Sequence, residues 1–222
     1  MKISFPQIDY VFSLEKEGCL MIVLENQRLL GEILTDFSQQ LQGLDGRIVL
    51  SRNNKILPIQ KHAELLSQII PFDINQKMLV NKANAQLQQI AVNGENYLKT
   101  NELLGIWEKY LLELSLGLTG DFSFTRISAE SLIKAAGIEF ADDYDNLGEK
   151  LLDYMNLVQS YDKEKLFIYV NLRSYLTDTE MEEFSEDVAV REMRVLLLES
   201  LERSAIKGVR QYIVDDDLCV IC

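Results

Sequence analysis

The stretch "GCLMIVLENQRLLGEILTDF", Gly18 to Phe37, has the order strand, tight turn, helix. That order can carry a phosphate-binding loop, so its residue types decide what chemistry is open to it. A working loop needs glycines whose backbone N–H groups wrap the phosphates, a lysine for the β- and γ-phosphates, and Ser or Thr for magnesium. The turn here holds Glu25, Asn26, Gln27 and Arg28. Glu25 would repel a phosphate, and Arg28 lies on the helix, where it cannot replace the missing glycine nest. A second apolar run, "KLFIYVN", ends in the neutral Asn171, where an ATPase places an acid for magnesium. Arg173 beside it is expected to be a surface or interface residue. A third run, "RVLLLES", ends in Glu199, which has no basic or hydroxyl partner evident in the sequence. ATP hydrolysis is therefore not expected.

Other catalytic sets are equally sparse. His62 is the single histidine and lies in "IQKHAELL", which reads as a plain amphipathic helix. No G-x-S-x-G occurs. Cys19, Cys219 and Cys222 are the three cysteines, an odd and low count that fits the reducing cytosol. The final "CVIC" reads as two strand-end cysteines, because zinc needs four ligands. "DDYD" (Asp142 to Asp145) and "DDD" (Asp215 to Asp217) lack the alternation, glycine and distal glutamate of a calcium loop, so both read as solvated loops. The formal net charge of -13 promises solubility and, as an average, opposes nucleic acid. A basic strip could survive it, because charges beyond about 10 Å are screened at ordinary salt. "SRNNK" (Arg52, Lys55) and "DKEKL" (Lys163, Lys165) are small clusters at strand ends, where an α/β domain usually meets its ligand, although composition alone favours ordinary solubilising charge.

The elements that must position these residues are mixed. "KISF" and "YVFSL" alternate around "PQID" as a hairpin. Leu20 to Leu24 is a buried strand, and Gln27 to Leu41 is a helix ended at Gly43. "RIVLS", "RNN" and "KILPI" follow as a hairpin or an extended pair. Residues 61–70 read as a short helix closed by Pro71. Asp73 or Asn75 can cap the next helix. From there to Gly137 the pattern is helical. One stripe is Leu79, Ala83, Leu87 and Ile90; a second is Leu103, Trp107, Leu111, Leu114 and Leu118. "SAESLIKAAG" is a third helix with Ser128 as N-cap. Strands and helices alternate again after residue 145, with a helix that Thr177 or Asp178 can cap. The expected fold class is α/β: a split domain over residues 1–70 and 145–222, with an α-helical insertion over 71–144. No segment approaches the roughly 20 apolar residues of a membrane span. No secretory signal is visible, so a cytoplasmic protein is expected.

This order of elements resembles the small Csn-two proteins of type II-A CRISPR systems. The similarity is carried by "DNLGEKLLDYMNLVQSYDKEKLFIYVNLRSYLTDTEMEEF", "RVLLLE", "RQYIVDDDL", "IIPFDIN", "SLIKAAGIE" and "SFPQIDYVFSLEKEGCLMIVLEN". The resemblance implies a head like a degenerate P-loop ATPase, an α-helical leg, and no enzymatic activity. It implies a homotetrameric ring with a basic hole that binds double-stranded DNA, preferentially at ends. It also implies a role in spacer acquisition beside the CRISPR integrase proteins and the effector nuclease. Lys55, in the position of a family lysine, then Arg52, Lys163 and Lys165, become the expected DNA contacts. Calcium is implied as well, with Asp121 first and Glu113 second as ligands. The matching stretch, "YLLELSLGLTGDFSFTRIS", has Ser115, Gly117, Thr119, Ser123 and Phe124 where acids are expected. The competing reading, drawn from the low basic count, is a degenerate-ATPase scaffold that holds partner proteins without touching DNA.

Overall fold

The structure is a computed structural model that describes residues 1–14 and 18–221. The chain divides into two compact units, Met1–Phe72 with Asp143–Cys222, and Asp73–Asp142.

The first unit is built on two sheets. β1 (Lys2–Ser4), β2 (Val11–Ser13), β4 (Val49–Arg52) and β5 (Lys55–Leu57) form an antiparallel sheet in the order β2-β1-β4-β5. The turn between β4 and β5 has two residues, Asn53 (φ 49°) and Asn54 (φ 60°). Asparagine tolerates the left-handed region that a two-residue hairpin demands at both positions. β3 (Gly18–Leu24), β6 (Ala63–Leu66), β7 (Leu166–Val170), β8 (Arg194–Glu199), β9 (Val209–Val214) and β10 (Val220–Ile221) form the larger sheet, ordered β10-β9-β3-β8-β7-β6. Its neighbours run parallel except β9 with β10. β7 and β8 are buried at every residue, and β3 at every residue after Gly18. That explains their unbroken apolar runs, since parallel strands covered on both faces cannot alternate.

Each face has its own cover. Leu20, Ile22, Leu24, Leu166, Ile168, Leu196 and Leu198 pack with Ile3, Phe12 and Leu50 of the small sheet and with Leu29, Ile33 and Phe37 of α1 (Gln27–Leu41). The opposite face carries Tyr169, whose ring meets Phe184 edge-on, and is covered by α6 (Leu147–Tyr161) and α7 (Asp178–Val190). Leu151, Met155, Val158, Met181, Phe184 and Val188 are buried from those helices. Burial of this kind contributes roughly 1.5–3 kcal/mol per large side chain. Cys19 lies in this second layer, and burial pushes its thiol up to about 12, so it is chemically quiet. Cys222 lies outside the described residues.

The expected helix over 61–70 is not formed. α2 covers only Ile59–His62, and Ala63–Leu66 continues as edge strand β6, parallel to β7. "AELL" has good helix formers, but pairing with the buried β7 satisfies its backbone and buries Ala63 and Leu66. Tertiary pairing overrides local propensity here.

Gly18 opens β3 with φ +118°, and a Cβ there would stand 2.7 Å from the Gly208 carbonyl oxygen. Gly18→Ala is expected to cost about 2 kcal/mol or more, from backbone strain together with that clash. Urea unfolding would read this as a lower midpoint at unchanged slope; an unaltered midpoint would contradict it.

The second unit is helical: α3 (Lys77–Val92), α4 (Asn96–Ser115) and α5 (Ala129–Ala136). Ser128 caps α5 by accepting from Ser131 N, as its spacing suggests, and Gly137 ends it at φ 70°. Gln76, not Asp73 or Asn75, stands at the start of α3. Asn75 is used otherwise. Its Oδ1 accepts from Phe140 N at 2.6 Å and its Nδ2 donates to Phe140 O at 3.0 Å. The two ends of this unit are tied there. α4 has no buried residue at all.

Candidate functional site

The turn from β3 into α1 is closed by its own side chains. Asn26 Oδ1 accepts from Leu29 N at 3.0 Å, so the cap occupies an amide that a phosphate would need. Arg28 is spent on Glu32 at 3.0 Å, and that pairing, with Gln7, holds the Glu32 carboxyl below its usual range. Glu25 is exposed, and Asn26 Nδ2 donates to the Asp216 carbonyl on the acidic β9–β10 turn.

The other carboxyl ends of the parallel strands are likewise satisfied. Asn171, left-handed at φ 53°, accepts from Ser200 N and Ser200 Oγ, each at 2.9 Å. Arg173 is not a surface residue: it is 3% exposed. Its Nη2 donates to Asp178 Oδ1 at 2.7 Å and its Nη1 to Ser204 O at 2.8 Å. The Arg173 guanidinium, then Ser204, holds the Asp178 carboxyl below its usual range. Glu199, which lacked a partner in the sequence, accepts from Arg173 N at 3.2 Å. Burial pushes its carboxyl up, against the pull of that bond and of the Arg173 and Arg203 charges. Thr177 and Glu180 close the α7 N-terminus as a reciprocal capping box. This edge is largely acidic, and the capping groups at both helix N-termini are internally bonded.

The expected DNA residues lie on the opposite edge. Gly18, Arg194, Leu166 and Ala63 form one row across four parallel strands, so residues just before them mark the amino edge. Lys163 and Lys165 precede β7 there. Arg52 joins them through an ion pair with Glu164, and Lys55 stands opposite Arg52 across the β4–β5 hairpin. Expectation had these clusters where such domains meet ligands, which is the carboxyl edge; the residues are gathered, but at the amino end. The physical reason is helix polarity. α6 and α7 finish at this edge, and cations suit the negative helix C-termini. Lys165 is the most committed of the four, donating to Lys61 O at 2.9 Å. Lys163 is exposed and lines an open hollow of about 310 Å³ with Asn156, Gln159, Ser160, Arg191 and Glu192.

Sequence reading missed Arg194. It is 6% exposed, and burial, followed by the nearby Arg52 charge, lowers its pKa, with Glu192 pulling the other way. Its Nε has no hydrogen-bond partner. The signal was present: an arginine opens "RVLLLES", an otherwise apolar run.

The expected calcium ligands both lie exposed at the end of α4 and just beyond it. Glu113 sits on the exposed side of α4, 3.9 Å from Lys109, and Asp121 is exposed in the segment after that helix. Calcium takes six to eight oxygens. Among the described residues no group of three or more His, Cys, Asp or Glu is placed to hold a metal ion. Nor is any helix among the described residues long and apolar enough to cross a membrane.

Comparison with known proteins gives this geometry a family. A family model described as CRISPR-associated protein (Cas_Csn2) matches residues 40–218. A CRISPR-associated protein Csn2 from Enterococcus faecalis is 27% identical over 161 residues, 69% of each chain. One from Streptococcus agalactiae is 21% identical over 222 residues, covering 100% of this chain and 97% of the relative. A crystal structure of Stu0660 of Streptococcus thermophilus shares the fold at TM-score 0.53 and 13% identity, over 96% of this chain and 74% of that one. The family match spans well over half of the residues, and the chain belongs to the CRISPR-associated Csn2 family.

Proposed function

We propose that this chain is a non-catalytic, ring-forming protein that binds double-stranded DNA in CRISPR spacer acquisition. The observation that carries the reading is the gathering of Arg52, Lys55, Lys163 and Lys165 on one sheet edge of a chain whose net charge is -13. Cations concentrated in that way give phosphate-based, sequence-independent and salt-sensitive binding. The first unit then serves as a degenerate P-loop head, keeping strand and helix while its phosphate turn is capped. Assembly as a homotetramer is supported by α4. Leu103 (55% exposed), Ile106 (67%), Tyr110 (56%) and Leu114 (56%) recur at helical spacing on its uncovered side. A helix apolar on several sides belongs in an interior, and a second copy can supply it. In the ring the protein acts beside the integrase proteins and the effector nuclease.

The alternative is a scaffold that holds partner proteins without DNA, favoured by the commitment of Arg52 and Lys165 to partners within the chain. A mobility shift with linear and circular duplex over a salt series separates the two. Linear duplex is expected to be retained at low salt and released as salt rises. No retention even at low salt leaves the scaffold reading. Native sizing is expected to give four chains; a monomer at micromolar concentration contradicts the ring.

A further inference from the structure

The amino edge contains a built feature that the exposed lysines do not explain. Side chains two apart on a strand share a face. Arg194 therefore shares the face of Leu196 and Leu198, and Arg52 shares the face of Leu50. These leucines belong to one core cluster between the two sheets. Both arginines thus project toward the space between the sheets, at its amino-edge mouth. Lys55, directly opposite Arg52 across the hairpin, projects to the same side. Arg194 is almost wholly buried, with its Nε unpartnered, and it stands between the opposing charges of Arg52 and the exposed Glu192. A desolvated guanidinium is costly unless an anion meets it. Arg52 is meanwhile occupied by Glu164.

We propose that Arg194, Arg52 and Lys55 form a notch that takes one phosphate group, with Glu164 as the internal counter-ion that the phosphate displaces from Arg52. Two guanidiniums suit this ligand because each offers a planar fork of N–H donors to phosphate oxygens. The proposal rests on the duplex-binding reading for the source of the phosphate, a backbone phosphodiester; a free phosphate ion has the same chemistry.

Two readouts on wild type, Arg194→Met and Glu164→Gln test it. The first is the melting temperature in inorganic phosphate against chloride at matched ionic strength. The second is fluorescence anisotropy of a labelled linear duplex over a salt series. Phosphate is expected to raise the melting temperature of wild type more than that of Arg194→Met. The log–log salt slope is expected to become shallower by about 0.9 in Arg194→Met, the share of one phosphate. Glu164→Gln is expected to bind duplex about two- to fivefold more tightly. If Arg194→Met matches wild type in both readouts, the notch is overturned while duplex binding stands. If wild type holds no duplex yet phosphate stabilises it and not Arg194→Met, the duplex reading falls and the notch stands for free phosphate. A changed phosphate response with an unchanged slope likewise assigns the notch to the free ion and overturns the backbone source. Should Arg194→Met not fold, Arg52→Met at the half-buried rim carries the same two measurements.

Discussion

Replacing Lys55 and Lys163 together with alanine is expected to weaken retention of a linear duplex by more than about tenfold near 0.1 M salt, roughly tenfold for the phosphate left without Lys163 and less for the one Lys55 shares with Arg52 and Arg194. The log–log salt slope should become shallower by at least about 0.9, the share of the phosphate that Lys163 meets. Both side chains are exposed, and neither takes an ion pair among the described residues. Their removal should therefore leave stability within about 0.5 kcal/mol. That separation is the force of the test, because a fall in binding cannot then be assigned to unfolding. Fluorescence anisotropy across a salt series measures affinity and slope together. A double variant with unaltered slope would show that the amino edge does not meet phosphates. Lys163→Ala alone should act independently of Lys55→Ala, since it stands on the α6–β7 segment and not on the hairpin.

Arg173→Ala is expected to do the reverse, lowering stability by about 3 kcal/mol while leaving the duplex affinity of the folded protein unchanged. Arg173 is buried and ties three segments together: Asp178 at the start of α7, Ser204 in the β8–β9 connection, and its own turn after β7. Truncation orphans the Ser204 carbonyl and breaks the pair with Asp178. The lower end of the usual range is appropriate because the Asp178 side chain is 62% exposed and water can replace part of the loss. The pH dependence has a definite sign. The Asp178 carboxyl is depressed in the folded protein, so its contribution is present above the unfolded pKa and lost as pH falls through the folded one. Without Arg173 most of that contribution is absent at every pH. The stability gap between wild type and variant should therefore narrow on acidification. Chemical denaturation at neutral and acid pH measures it; a gap that widens in acid would overturn this account.

These two expectations set the edges of one sheet against each other. In an open parallel sheet the carboxyl edge is the usual ligand edge, where helix N-termini present unpaired amides. Asn26 and the Thr177–Glu180 box take those amides, and Glu199, Asp178 and the Asp215 to Asp217 turn make the surroundings acidic. The amino edge instead gathers lysines and arginines, which suit the helix C-termini.

Much of this was legible locally. Apolar runs gave β3, β7 and β8, because a strand buried on both faces needs nothing else. Helical spacing gave α1 from Gln27 to Leu41, and capping chemistry placed Ser128 and Gly137 and left Thr177 or Asp178 for α7. The absence of glycine, lysine and hydroxyls at Glu25 to Arg28 already argued against a phosphate nest, since residue type alone decides that. The family, too, was written in the order of segments. Tertiary structure decided the rest. "AELL" became a strand because β7 offered it a ladder, and Arg173 moved from surface to interior because Ser204, 31 residues away, closes over it beside the nearby Asp178. Arg194 acquired meaning only when the small sheet set Arg52 beside it. Residue types and their short-range periods are properties of the chain; which edge is basic, and which charges lack partners, depends on how segments far apart in sequence are packed together.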